Sequence, residues 1–161
     1  MWIASKTINN RFNPSFNVPA SEIFITLATR RDTVDYINES KLSQLPGNAA
    51  QYEGTVNGDF PESALPTLKT LTFRDDAQVM FVKNDMERRW YNGTLGRIHR
   101  MSEEGIFVSL EDGSVHLVEK DIWRNIRYSY DETNKRVVEE ELGSFTQYPL
   151  KLAWAITVHK S

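Results

Sequence analysis

The 161-residue sequence predicts a mixed α+β fold, a piece of an α/β layer joined to a small antiparallel β-barrel. Residues 22–46 read as a strand, a turn and a helix, which is the repeating piece of an α/β sheet. Between residues 78 and 147, short runs of β-forming residues follow one another at close spacing, joined by tight turns, as in small barrels. Residues 152–161 (LAWAITVHKS) return to a compact apolar run that leads, strand-like, into a polar elbow.

Each element has a local cause. Residues 1–21 are polar and Asn-rich, with Pro14 and Pro19, so a short helix and then an irregular linker are expected. Residues 22–28 (EIFITLA) are rich in β-formers and read as a buried strand. Thr29, with Asp32 three residues later, has the spacing of a capping box. Val34, Ile37, Leu42 and Leu45 then share one helical face, and Pro46-Gly47 ends the helix. The character changes after about residue 66. Strands are expected at 78–83, 93–101, 105–110 and 114–118. Asp112-Gly113 suits a tight hairpin turn with positive φ, and Glu103-Glu104-Gly105 is a weaker turn signal. Residues 123–130 alternate apolar and polar, 131–135 (DETNK) form a polar turn, and 136–147 return as a strand. There is no internal repeat and no low-complexity segment.

Bulk composition bounds the function. Hydrophobic residues at 40% and charged residues at 25% are ordinary for a soluble globular protein. A net charge of −3 gives no bulk attraction to nucleic acid, so any such contact must come from local basic groups. The absence of cysteine excludes disulfides and thiolate metal sites and favours a reducing compartment. No apolar run reaches the roughly 18 residues of a membrane span, and the N-terminus lacks the pattern of a signal peptide. A cytoplasmic location with no membrane partner is expected.

Two groups of residues carry donors suited to phosphate oxygens. Thr157, His159, Lys160 and Ser161 offer hydroxyl, imidazole and ammonium groups at the end of the apolar run. Thr29, Arg30 and Arg31 sit where a strand gives way to a helix, and free backbone N–H groups and the helix dipole favour an anion there. Arginines are unfavourable for that end of the helix itself, a local conflict that is often a sign of a phosphate partner, but two solvated arginines on an exposed turn are the preferred reading. Lys83, Asn84, Arg88, Arg89 and Trp90 form a basic loop beside an aromatic, which could hold a strand by charge and stacking. A solvated loop with Trp90 half in the core is the preferred reading. His99 and His116 lack partners for a metal site, and Trp123 and Trp154 read as core anchors. Glu139-Glu140-Glu141 reads as a charged strand face. No catalytic residue or metal ligand is assigned.

The order of pieces resembles a known family. A strand ends in Thr29, a helix carries YIN (36–38), and AQVMFVKND (77–85), NGTLG (92–96), a small barrel and AITVHKS (155–161) follow. This is similar to the second motor domain of RecD-like helicases and the related PIF family of superfamily one, over roughly residues 22–161. The resemblance implies a partial RecA-like domain at 1–66, an inserted SH3-like barrel at 67–148, and a return to the RecA-like domain at 149–161. It implies DNA-backbone contacts through Thr157, His159, Lys160, Ser161, Thr29 and Arg30. Its partners would be single-stranded DNA and the remaining helicase domains of the same chain. ATP and Mg²⁺ would serve the full-length parent, and this piece would supply one side of the cleft. The sequence holds no GxxxxGK[ST] loop, so the piece by itself is expected neither to bind ATP tightly nor to hydrolyse it. Two departures stand out: Asp75-Asp76 where the family usually has a glycine next to the alanine, and no Gln-Gly after Ser161, which truncation inside a motif would explain. Two other readings stay open: a non-enzymatic SH3-like or Tudor-like binding module, and an interaction domain of a DNA-processing complex.

Overall fold

The computed structural model describes residue 10, residues 12–17, residue 19 and residues 22–158. The elements begin with β1 (Thr26–Ala28), α1 (Arg31–Gln44), β2 (Ala50–Glu53), β3 (Thr55–Gly58) and β4 (Thr70–Phe73). They continue with β5 (Gln78–Phe81), β6 (Leu95–Met101), β7 (Ile106–Leu110) and β8 (Val115–Val118). The chain closes with β9 (Asp121–Asp131), β10 (Arg136–Gln147), β11 (Leu150–Leu152) and β12 (Ala155–Thr157).

The expected α/β piece is present. β1 and β12 pair in parallel, with Thr26 opposite Ala155, Leu27 opposite Ile156 and Ala28 opposite Thr157. The strand expected at 22–28 is shorter, because its first half bonds elsewhere. The Phe24 carbonyl accepts from the Gln78 side chain at 2.8 Å, and the parallel ladder starts only where the Thr26 N–H reaches the Trp154 carbonyl at 2.8 Å. α1 covers this pair with Val34, Asn38 and Leu42, a buried stripe at i, i+4 and i+8. The YIN segment lies inside the helix, which runs on to Gln44.

The expected capping box is absent. The N-cap residue is Arg30, whose backbone is extended and whose side chain makes no cap bond. Asp32 is committed elsewhere: it accepts from the Arg30 guanidinium and from the Thr33 N–H at 2.8 Å. At the other end, Leu45 turns extended ahead of Pro46, as a residue before proline must. Arg74, just past β4, donates to the Leu45 and Gly47 carbonyls at 2.6 and 3.1 Å, closing the helix end from a distance.

The region read as a barrel is an open five-stranded antiparallel sheet in the order β11-β5-β6-β7-β8. No ladder joins β8 to β11 among the described residues, so a closed barrel is not formed by backbone pairing. The strand that follows β8 is drawn away: β9 pairs with β10 from Asp121–Gln147 out to Asp131–Arg136. β10 in turn takes β3 on its other edge, Gly143 lying opposite Gly58. The open sheet's core holds Val79, Phe81, Ile98, Ile106, Val108 and Leu150, joined by Leu71 and Phe73 from β4 and by Trp90. Trp123, expected as a core anchor, is half-buried and stacks on Phe145 at the base of the β9–β10 ribbon. Further out, Arg127–Glu140 (2.6 Å) and Arg124–Glu141 (3.4 Å) pair across the ribbon, so two of the three adjacent glutamates have cationic partners. The β7–β8 turn confirms the Asp-Gly signal in part: Gly113 takes φ +83° while Asp112 does not enter the left-handed region. Asp112 instead accepts from the Ser114 N–H and hydroxyl, the arrangement of a three-residue loop closed by a left-handed glycine. Asp76, next to Ala77, sits at φ +65°, where a glycine would be unstrained.

Ladders cross the boundaries drawn from sequence. β2 pairs β4, β3 pairs β10, and β11 pairs β5. Three buried side-chain amides stitch these crossings. Gln147 donates to the Tyr52 and Lys69 carbonyls, and Gln78 donates to those of Phe24 and Ala153. Asn38 holds the backbone of Ala155 from both sides.

Candidate nucleic-acid interface

Parallel pairing puts the carboxyl ends of β1 and β12 side by side. In an open α/β layer, ligands gather at that end of the strands. The register sets Thr157 against Ala28, and the Val158 N–H donates to the Ala28 carbonyl at 2.9 Å. Thr29 follows Ala28 directly, and Arg30 and Arg31 open α1. The structure therefore brings Thr157, Thr29 and Arg30 to one edge, although more than 120 residues separate them in the chain. His159, Lys160 and Ser161 lie outside the described residues.

Thr29, Arg30 and Arg31 are exposed, and Thr157 is half-buried. The 14-residue helix presents the positive end of its dipole here. The first backbone bond of the helix is Val34 N–H to the Arg30 carbonyl at 3.3 Å, so the earlier amides have no intrahelical partner, and the Thr33 N–H is taken by the Asp32 side chain. One feature works against an anion. The Arg30 guanidinium forks onto Asp32 through Nε (3.1 Å) and Nη2 (2.5 Å), which holds the Asp32 carboxyl below its ordinary range. Both groups are largely exposed, so the pair is solvent-screened and a phosphate can compete for the fork.

The loop at 83–94 has another architecture. Trp90 is buried and stacks on Phe81 at 4.5 Å between ring centres, and the Arg89 guanidinium lies 4.5 Å over its outer face. Lys83 is tied to Asp121 and to the Ile122 carbonyl, both at 2.7 Å. Asn84 accepts from the Asn92 N–H. These bonds tie the loop down over the core; the preferred reading of a solvated loop with Trp90 half in the core is corrected in one respect, since Trp90 is buried, at 5% exposure. Among the described residues no cluster of metal-ligating side chains includes His99 or His116, and the His116 ring contacts the Ser114 hydroxyl at 3.0 Å.

Asp85 is the most perturbed acid of the loop. Its side chain is 9% exposed and accepts from the Arg89 N–H, Nε and Nη2. Arg89 draws its pKa down to about 2. A depressed carboxylate stabilises the fold above its unfolded-state value of about 4. That contribution is lost as pH falls through about 2. Denaturant titrations across this range are expected to show a stability gap between wild type and Asp85→Asn that is full near neutrality and closes as pH falls from 4 to 2. A gap independent of pH would refute the assignment.

Sequence reasoning did not single out Asn38, Gln78 or Gln147. A polar residue inside an apolar helical stripe (Val34, Asn38, Leu42) was the available signal for the first.

No family model matches the chain. It is 28% identical over 205 residues to the ATP-dependent DNA helicase Pif1 of a Psychrobacter species, covering 98% of this chain and 30% of that protein. It is 32% identical over 148 residues to the ATP-dependent DNA helicase PIF1 of Danio rerio, covering 84% and 21%. Among solved structures, Bacteroides Pif1 in complex with ADP-AlF4 superimposes with a TM-score of 0.78 at 34% identity, over 86% of this chain and 31% of that one. Bacteroides Pif1 bound to ssDNA gives 0.75 at 30% identity, over 98% and 35%. The chain spans at most about a third of these proteins, and in sequence and in three dimensions it is similar to that part of a Pif1 helicase.

Proposed function

We propose that this chain is part of an ATP-dependent DNA helicase of the Pif1 kind, and that it grips the backbone of single-stranded DNA at the carboxyl ends of β1 and β12. The observation that carries this reading is the convergence of Thr157, Thr29 and Arg30 on one edge of a parallel pair, at the positive end of α1. A motor that moves along any sequence must hold phosphates rather than read base edges, and hydroxyl, guanidinium and ammonium groups do so. His159, Lys160 and Ser161, which continue from β12, extend that grip. In this reading residues 1–66 and 149–161 belong to the second RecA-like motor domain, with kinship to RecD-like motors, and 67–148 are its SH3-like insertion. The remaining helicase domains are the intramolecular partner, and the cytoplasm is the setting.

ATP and Mg²⁺ belong to the whole protein. The residues present do not fit the triphosphate on their own, since the sequence lacks a glycine-rich phosphate loop with its lysine. In this reading the chain lines one side of the cleft. A free-standing SH3-like or Tudor-like module is disfavoured, because the five-stranded sheet is framed by β1 before it and β12 after it.

Two experiments test the proposal. The complete gene product should hydrolyse ATP in the presence of DNA and unwind a tailed duplex; a protein that does neither is not a helicase. Titration of this chain into a fluorescein-labelled oligo-dT should give affinity that falls with salt. Lys160→Gln and Arg30→Gln should each reduce the log–log salt slope by about 0.7, the value for one phosphate contact on a single strand. Unchanged slopes would remove those residues from the interface.

A further inference from the structure

We propose that Asn38 is a positioning residue that fixes β12, and with it Thr157, against the start of α1. Its amide sits in the middle of the buried stripe of the helix, 8% exposed, between Val34 and Leu42. Oδ1 accepts from the Ala155 N–H at 2.9 Å, and Nδ2 donates to the Ala155 carbonyl at 3.1 Å. One side chain thus offers Ala155 the two bonds that a neighbouring strand would offer. β1 occupies the other edge of β12 through the flanking residues: the Trp154 carbonyl accepts from Thr26 and the Val158 N–H donates to Ala28. Ala155 itself is 1% exposed, so no water replaces the amide. Leucine at position 38 would orphan one buried donor and one buried acceptor. Aspartate would keep the acceptor and set a carboxylate oxygen against the Ala155 carbonyl.

The placement couples the two halves of the candidate interface. Thr157 lies two residues beyond Ala155, roughly 7 Å along the strand. Arg31 lies about two helical turns before Asn38, roughly 10 Å along the axis. Asn38 is the cross-strut between these arms, so it sets the distance between the groups that Thr157 and the first turn of α1 present. Only the consequence for DNA rests on the function proposed above; the role in holding β12 stands on the geometry alone.

The test uses this chain with Asn38→Leu, and as a control Gln147→Leu, which removes a buried amide that touches neither β1 nor β12. Native-state amide hydrogen exchange is the first measurement. Asn38→Leu is expected to lower the protection of residues 155–158 at least tenfold relative to β6 and β7, and Gln147→Leu is expected to leave that ratio unchanged. Wild-type protection at 155–158 in Asn38→Leu overturns the proposal. Should Asn38→Leu not fold, Asn38→Asp, which keeps one bond, is read in the same way. The second measurement is affinity for labelled oligo-dT at a temperature where all variants are folded. A five- to tenfold loss in Asn38→Leu, against less than twofold in Gln147→Leu, supports the link to DNA, and equal losses refute it. A wild-type chain with no affinity for the oligonucleotide refutes the DNA reading, and the exchange ratio still decides the positioning role.

Discussion

Replacing Gly143 by alanine is expected to destabilise the fold by about 3 kcal/mol or more, at the upper end of overpacking effects. A Cβ at this position would lie 2.5 Å from both the amide nitrogen and the carbonyl oxygen of Asp59, and 2.6 Å from the carbonyl oxygen of Asn57. All three atoms are backbone, so no rotamer change relieves the contact. The position is also where the β9–β10 ladder shifts register, between Glu141 and Gly143, and where β3 begins to pair through Gly58. β3 must separate from β10 to admit the methyl group. The Asp59 N–H bond to the Leu142 carbonyl, at 2.9 Å, is then strained as well. Gly113→Ala is the contrast. There a Cβ meets nothing within 4 Å, and only the left-handed φ of +83° opposes it. That should cost about 1 kcal/mol. Urea denaturation of both variants checks the ranking, and a Gly143→Ala protein as stable as Gly113→Ala would contradict it.

The same comparison shows why some of the fold was legible in the sequence and some was not. β10 was readable to its ends because a polar turn and a following proline bracket a long run, and β5 to β8 because β-formers alternate with turn residues. β2 (AQYE) and β3 (TVNG) escaped notice, since β2 alternates over only four residues, too short a run to stand out, β3 is exposed throughout, and their partners lie in β4 and β10. The open sheet differs from the expected barrel for a related reason. Whether β9 turns back toward β11 or runs out with β10 depends on pairing between distant segments, which local pattern does not encode. At the candidate interface, Thr29, Arg30 and Thr157 could be proposed from the sequence because their chemistry is visible one residue at a time. The side chain that sets their geometry could not be: Asn38 shows in the sequence only as a polar residue in an apolar stripe, and its partner, a backbone 117 residues away, leaves no trace in residue identity.

Gln147→Leu is the second large effect, expected to cost about 2–4 kcal/mol although it exchanges one buried side chain for another of similar size. Gln147 is fully buried. Its Nε2 donates to the Tyr52 carbonyl at 2.9 Å and the Lys69 carbonyl at 2.8 Å, and its Oε1 accepts from the Tyr148 N–H at 2.9 Å. The losses are unequal. The Lys69 carbonyl keeps the Gly54 N–H at 2.7 Å, so it loses one of two partners. No other partner is seen for the Tyr148 N–H among the described residues, and that donor would be left unpaired in the core. The apolar gain of leucine is small, because no cavity awaits it: Phe145 and Gln147 already crowd the Cβ direction of Gly54 at 2.6–3.2 Å. Gln147→Glu separates polarity from shape. At neutral pH it would set a charge against two carbonyls and lose both donated bonds. When protonated, one hydroxyl can restore one of them. Stability of Gln147→Glu should therefore rise toward wild type as pH is lowered, while that of Gln147→Leu keeps a fixed offset. Parallel pH profiles for the two variants would mean that packing, and not the amide bonds, is what Gln147 supplies.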